Sequence, residues 1–318
     1  MDEAVVEVVA GVDPPLVSEV TRLLDDVRRT RGAGGLSEAR VRALEHAVSG
    51  TATGAGAVLA VTARHRVGGP LVGYAQIDAE GDRASSSGEL VVLPGGGSEV
   101  GLADRILDTA LAAFRVAGGG HLRFWVTHAA ASDDARVVTR GFTVERDLLQ
   151  LRCPLPLPPP RDTDRAIVTR AFRPGVDERA WLQVNNRAFA GHPEQGHWDL
   201  GTLLERESEP WFRPEGFRVL EVDGRLAGSC WTKVHDDEPP LGEIYVISVD
   251  PDFHGRGLGR ALTRAGLEWL ASIGVTTGML YVDGANTAAV TLYRSMGFTT
   301  DHVDRSYVAD VAPGDVTG

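Results

Sequence analysis

The sequence predicts an α/β (α+β) fold present twice in tandem, each copy a mixed β-sheet flanked by helices. Three observations carry this. Strand-like and helix-like segments recur in one order in each half. The halves match at a nearly constant offset. A proline-rich segment, Cys153-Pro154-Leu155-Pro156-Leu157-Pro158-Pro159-Pro160, lies between them. Its prolines exclude a helix or a central strand and favour a stiff, extended spacer. The expected division is an N-terminal domain over 1–152, a linker over 153–164 and a C-terminal domain over 165–318.

The internal repeat is an ordered series of matches. Leu71-Val72-Gly73 corresponds to Leu226-Ala227-Gly228, and Pro94 to Pro251. Gly101-Leu102-Ala103 corresponds to Gly257-Leu258-Gly259, Trp125-Val126 to Tyr281-Val282, and Gly141-Phe142 to Gly297-Phe298. The last three pairs share one offset, which chance does not supply.

In the C-terminal half, Asp177 to Ala188 reads as a helix. Phe217–Glu221 and Leu226–Val234 form a hairpin around an Asp223-Gly224 turn. Gly242–Val249 is a strand closed by Asp250-Pro251. The helix from about Gly257 to Ile273 carries Leu258, Leu262, Ala265 and Trp269 on one stripe. Gly278–Asp283 is a strand, Asn286–Met296 a helix, and Thr299–Val308 a final strand. The N-terminal half repeats the pattern after helices near Pro15–Arg29 and Ser37–Val48.

Composition narrows the function. The 318 residues carry a formal charge of −12, which excludes a phosphate-backbone partner that needs a basic surface. No apolar run approaches a membrane span, and Met1-Asp2-Glu3 lacks the basic start of a signal peptide. Two cysteines, Cys153 and Cys230, form neither a disulfide framework nor a zinc-ribbon spacing. A cytoplasmic protein with no nucleic-acid or membrane partner is expected. Of 32 basic residues Lys233 is the one lysine, a sign of a G+C-rich genome in which a surviving Lys is worth attention.

The chemistry concentrates in Gly242 to Arg260. A strand runs into a glycine-rich turn that opens a helix. Successive N–H groups at such a helix start cradle an anion, and glycines admit a pyrophosphate close to the backbone. The alternative is that Gly257 and Gly259 only permit a tight turn. The segment is neither a Walker loop nor a dinucleotide fingerprint. Asn286 and Tyr293 lie seven residues apart, which two helical turns bring to one face. Tyr293 is then either functional or a core aromatic. Glu243, a carboxylate in an apolar strand, needs a partner or a task. As a general base it would take a proton from an ammonium, directly or through water.

The order strand, x-Pro, x-x-x-Gly-x-Gly loop, long helix, strand, Asn-x-x-Ala helix with a Tyr two turns on, then Gly-Phe resembles the GNAT superfamily of N-acetyltransferases. The resemblance implies acetyl-CoA as co-substrate and no metal. It implies a CoA site at Ile247, Ser248, Val249, at His254, Gly255, Arg256, Gly257, Leu258, Gly259, Arg260, and at Asn286, Thr287, Ala288, Ala289, Val290, Thr291. Backbone N–H groups around Ser248-Val249 would polarise the thioester carbonyl. Tyr293 stands where that family often protonates the departing thiolate. His254 replaces the usual Gln or Arg, a change a backbone cradle tolerates, and Arg256 and Arg260 remain as phosphate partners.

In the N-terminal copy the offset sets Ala130 opposite Asn286, Val137 opposite Tyr293, and Ser86 or its neighbour opposite Glu243. Both chemical groups are missing, so one degenerate copy is expected. The resemblance gives it a second CoA site at Leu90, Val91, Val92 and Ser98, Glu99, Val100, Gly101, Leu102, Ala103; the alternative is a wall for the substrate cleft.

The loop Val184–Trp198, the strand Trp231–His235 and the tandem layout resemble a tandem-domain branch of the family that acetylates the cysteinyl amine of a pseudo-disaccharide thiol. That resemblance assigns acceptor contacts to Glu38, Glu194, Lys233, Glu243 and Tyr281. Charged, multivalent groups suit an acceptor rich in hydroxyls. A small-molecule amine acceptor and a monomer are expected. Pro193 and Gly196 make His192, Glu194 and His197 a poor metal-ligand face. Two alternatives stay open: another small amine as acceptor, such as an aminoglycoside or polyamine, or a non-catalytic acyl-CoA-sensing module.

Overall fold

The computed structural model describes residues 4–9, 11–31, 35–37, 40–42, 44, 59–80, 85–94, 101–161, 166–191, 196–235 and 239–314. The chain divides into two units, Met1–Leu148 with Val303–Gly318, and Leu149–His302. Of the helix expected at Ser37–Val48, residues 40–42 and 44 are described and helical. Among the described residues no helix is long and apolar enough to cross a membrane.

The first unit holds β1 (Val5–Val9), a helix Pro14–Arg31, β2 (Leu59–Arg64), β3 (Leu71–Glu80), β4 (Ser85–Val92), a helix Leu102–Val116, β5 (Gly120–Val126) and a helix Ala131–Val138. The opening residues of β6 (Thr143–Pro154) and the residues of β12 (Thr299–Val311) from Val303 onward also belong to it. Its strand order is β1-β2-β3-β4-β5-β12-β6. β4 and β5 are parallel, with Ser85–Glu89 in register with His121–Trp125. The Leu102–Val116 helix buries Leu102, Ile106, Leu107, Ala110, Leu111 and Phe114, one stripe of a 3.6-residue period, against this sheet.

The second unit holds β7 (Arg170–Ala171), helices Glu178–Ala188 and Leu200–Glu207, β8 (Phe217–Val222), β9 (Arg225–His235), β10 (Leu241–Val249), a helix Leu258–Ser272, β11 (Thr277–Asp283) and a helix Thr287–Ser295. With the closing residues of β6, its strand order is β6-β11-β10-β9-β8-β7. The hairpin turns where the sequence places it, with Asp223 and Gly224 both at positive φ, 51° and 73°. That is the conformation a two-residue hairpin loop favours. One sheet face packs on the helices Leu258–Ser272 and Thr287–Ser295 through Leu220, Cys230, Ile244, Leu262, Leu267 and Leu280. The other meets the helices Glu178–Ala188 and Leu200–Glu207 in an aromatic cluster centred on Trp231. Trp231 stacks on Phe217 at 4.4 Å and meets Trp181, Trp211, Phe212 and Tyr245 at 5.5–5.9 Å.

Three features depart from the sequence expectation. The proline-rich segment does not begin as a spacer. Cys153 and Pro154 finish β6, Cys153 and Leu155 are buried in the core of the second unit, and Leu155 N–H donates to the Thr276 carbonyl at 2.8 Å. Alternating Leu side chains, which proline does not prevent from packing, explain this. The last strand also does not close the C-terminal unit. From Val303 on it belongs to the first, where Arg305–Val311 run antiparallel to Gly120–Val126 and Tyr307 is fully buried. Arg305 binds Asp147 at 2.6 Å and Asp134 at 2.8 Å there. The helix Leu200–Glu207 was not expected either; its signal was Asp199, whose carboxylate accepts from Thr202 N–H at 2.8 Å as an N-cap.

Candidate active site

β10 organises the site in the second unit. Its parallel register with β11 covers Leu241–Glu243 against Thr277–Met279, whereas its register with β9 continues to Val249. A bulge between Ile244 and Val246 interrupts the β9 ladder at Tyr245. Among the described residues, then, the ladder of β10 beyond Glu243 runs on its β9 side alone.

The turn after β10 is firmly built. The Asp250 carboxylate accepts from Asp252 N–H at 2.9 Å and receives Arg187 Nη1 at 2.8 Å. Asp252 is clamped by Arg187 at 3.0 Å and Arg225 at 3.1 Å, and hydrogen bonding from Arg187 and then Arg225 holds its carboxyl below the usual range. His254 Nε2 donates to the Val249 carbonyl at 3.0 Å, so the residue that departs from the family pattern ties the loop to the strand end. Gly257 then caps the Leu258–Ser272 helix at φ 73°, in the left-handed region. A Cβ there would meet nothing within 4 Å, so backbone conformation rather than crowding demands glycine, and the space before it is open.

That space is a cavity of about 670 Å³. Val249, His254, Gly255, Arg256, Gly257, Leu258, Gly259, Arg260, Asn286, Ala288 and Ala289 line it, joined by Arg161, Phe253 and Leu292. Ile247, Ser248, Thr287, Val290 and Thr291 are not among its lining residues. The first-turn N–H groups of the Leu258–Ser272 helix, which have no intrahelical acceptor, and the helix dipole favour an anion. The lining holds three arginines and no carboxylate. The residues present fit a polyphosphate ligand such as CoA.

Asn286 and Tyr293 part company. Asn286 is exposed, lines the cavity and caps the Thr287–Ser295 helix, its Oδ1 accepting from Ala289 N–H at 3.1 Å. A capping residue stands outside the helical rotation that the seven-residue spacing assumed. Tyr293 is buried in the core beside Phe298, ring centres 5.7 Å apart. Burial, followed by the neighbouring Cys230, raises its phenol well above the ordinary value, so it stays protonated.

Glu243 lies at the other end of β10. It is 8% exposed, and its Oε2 is 2.8 Å from His235 Nε2, a partner sequence reasoning missed. In the β9–β10 ladder Glu243 faces Lys233 directly, so both side chains project from one sheet face. Lys233 is not a solvated lysine. It is 6% exposed, with Nζ 4.8 Å from the ring centre of Trp211 and 5.8 Å from that of Tyr245. Such rings hold a cation through their π faces. The Tyr245 bulge brings the second ring there, which spacing alone does not reveal. Tyr281, on β11, is 40% exposed and its hydroxyl accepts from Gln150 Nε2 at 2.8 Å. Glu38 and Glu194 lie outside the described residues, as does His192. Among the described residues no cluster of His, Cys, Asp and Glu is arranged to hold a metal.

The first unit has a cavity of about 720 Å³ at the corresponding place, lined by Leu90, Val91, Val92, Gly101, Leu102 and Ala103 among others. Gly101 caps its helix at φ 100°, as Gly257 does in the other copy. Ser98, Glu99 and Val100 lie outside the described residues. Its charge differs: the lining arginine Arg136 is engaged by Asp133 at 2.5 Å and Asp104 at 3.4 Å, both also lining residues. In β4, Ser87, paired with Asp78, occupies the strand position that Glu243, paired with Lys233, takes in β10.

The fold and the cradle define the class, the GNAT acetyltransferases, and residues 179–298 match the acetyltransferase (GNAT) family. Along 310 residues the chain is 42% identical to a mycothiol acetyltransferase of Thermomonospora curvata, covering 96% of this chain and 98% of that protein. With a mycothiol acetyltransferase of Streptomyces coelicolor it shares 42% identity over 309 residues, 95% of this chain and 94% of that one. The chain belongs to the mycothiol acetyltransferase family and is an acetyl-CoA-dependent N-acetyltransferase. Solved structures agree in fold. A GCN5-related N-acetyltransferase from Sphaerobacter thermophilus has a TM-score of 0.70 at 21% identity, covering 99% of this chain and 98% of that one. A tandem GNAT protein from the clavulanic acid biosynthesis pathway has a TM-score of 0.67 at 18% identity, covering 98% and 100%.

Proposed function

We propose that this chain transfers acetyl from acetyl-CoA to the cysteinyl amine of cysteinyl-glucosaminyl-inositol, giving mycothiol and CoA. The observation that carries this reading is the 42% identity, sustained over 96% of the chain, to a mycothiol acetyltransferase. In this reading the second unit is catalytic. Glu243, oriented by His235, accepts a proton from the cysteinyl ammonium, directly or through a water, and frees the amine as nucleophile. Backbone N–H groups of β10 near Ser248 and Val249 polarise the thioester carbonyl. Attack of the amine forms the C–N bond and breaks the C–S bond; Tyr293 gives a proton to the leaving sulfur, balanced by the second proton that the nitrogen sheds on becoming an amide. Lys233, with Tyr281 and Glu194, receives the hydroxyls of the pseudo-disaccharide. The first unit, without counterparts of Glu243 and Tyr293 and with a lining arginine neutralised by aspartates, is non-catalytic. Its cavity is a second CoA site at most, and a monomer suffices because one unit carries the chemistry.

The deciding experiment incubates purified protein with acetyl-CoA and cysteinyl-glucosaminyl-inositol and follows CoA chromatographically. CoA formation dependent on that acceptor is expected. Turnover only with an aminoglycoside or polyamine, or acetyl-CoA binding without turnover of any amine, overturns the reading.

Tyr293 has its own test. Tyr293→Phe keeps the ring packing and removes one hydroxyl, so the thermal midpoint should hold while turnover falls severalfold to about 100-fold. A fully active Phe variant, beside a Tyr293→Ala variant destabilised by about 3 kcal/mol, assigns Tyr293 to the core alone.

A further inference from the structure

We propose that Arg161, at the end of the proline-rich segment, binds the 3′-phosphate of CoA. This rests on the reading of the 670 Å³ cavity as the acetyl-CoA site. Three arginines line that cavity, and they come from two places. Arg256 and Arg260 belong to the glycine loop and the first turn of its helix, beside the backbone N–H groups that suit a pyrophosphate. Arg161 arrives from a separate segment, about 100 positions earlier in the sequence.

The proline-rich segment delivers it. Leu155 is buried and Leu157 packs on the same core. Arg264, on the Leu258–Ser272 helix, donates through Nη1 to the Pro158 carbonyl at 3.0 Å. Pro159 and Pro160 span the short distance from that anchor to Arg161, and proline runs are extended and semi-rigid. Little conformational entropy is left to lose when Arg161 meets a ligand. Its Nη2 donates to the Ser295 carbonyl at 3.2 Å, while Arg260 Nη2 donates to the Ser295 hydroxyl. Two guanidinium groups therefore converge on the C-terminal end of the Thr287–Ser295 helix, at the rim of the cavity.

Charge supports the same assignment. In a chain of formal charge −12, the lining of this cavity has three cations and no carboxylate. Local positive potential of that kind selects a polyanion. CoA carries a phosphomonoester in addition to its pyrophosphate, and a guanidinium fork matches a phosphate monoester better than an ammonium does. The glycine cradle serves the pyrophosphate, which leaves the second anionic group for the arginine on the strap.

The test compares CoA with 3′-dephospho-CoA by calorimetric titration of the full-length chain and of Arg161→Ala. Arg161 is exposed, so the variant should keep the parent's thermal midpoint. The parent should bind CoA about tenfold or more tighter than dephospho-CoA, the usual worth of a charge-assisted hydrogen bond. Arg161→Ala should lose that preference by weakening CoA binding and leaving dephospho-CoA binding unchanged; Arg161→Lys should restore part of it. Equal losses for both ligands, or no loss for either, overturn the role of Arg161. Failure of the parent to bind either ligand overturns the acetyl-CoA reading itself, and this inference with it.

Discussion

Glu243→Gln is expected to lower turnover by about 10² to 10⁴, the range for loss of a general base. The substitution keeps side-chain volume and a group able to hydrogen-bond His235, so the fold should be retained. What disappears is the capacity to accept a proton. The deficit should therefore narrow as pH rises, because more of the acceptor amine is already neutral in solution. Rate measurements of parent and variant from neutral to alkaline pH check this. A deficit equal at every pH means that Glu243 positions the acceptor and does not move its proton.

The second large effect is expected at Gly257. Any L-residue at φ 73° carries roughly 1–2 kcal/mol of backbone strain. Gly257→Glu also directs a carboxylate into the space where the ligand's phosphates would lie. CoA affinity should fall by 10² or more, since each unfavourable 1.4 kcal/mol is about tenfold. Gly257→Ala separates the two contributions, because it adds strain and a methyl group but no charge. Gly101→Glu imposes a left-handed strain of the same kind on the first unit and should cost turnover far less. Equal damage at the two glycines would contradict the assignment of catalysis to the second unit.

The sequence made the repeated architecture legible because both signals involved are local. A glycine that must adopt positive φ at a helix start, Gly101 or Gly257, leaves its mark at the position concerned, as does the Asp223-Gly224 turn. The cradle residues Gly255 to Arg260 were legible for the same reason. Partnerships across the sheet were not. Glu243 was recognisable as a carboxylate in need of a partner, yet its pairing with His235 depends on the register of β9 against β10. The enclosure of Lys233 by Trp211 and Tyr245 depends on a bulge and on a loop 22 residues upstream of the lysine. The sequence marks Thr299–Val308 as a strand, which ends at Val311 in the structure, but does not say which neighbour it joins. Asn286 and Tyr293 carry a similar lesson: a seven-residue spacing describes one face only when both residues lie inside the helix.

The placement of residues 303–318 in the first unit bears on how this chain is made. Synthesis proceeds from the N-terminus, but β5 receives its antiparallel neighbour Arg305–Val311 only after about 180 further residues have been made. Until then its hydrogen-bonding edge stays open, the kind of edge on which strands of other chains add. The first-born half is thus the last to be completed, and a polypeptide stopped at residue 302 would lack part of its N-terminal unit, including the buried Tyr307.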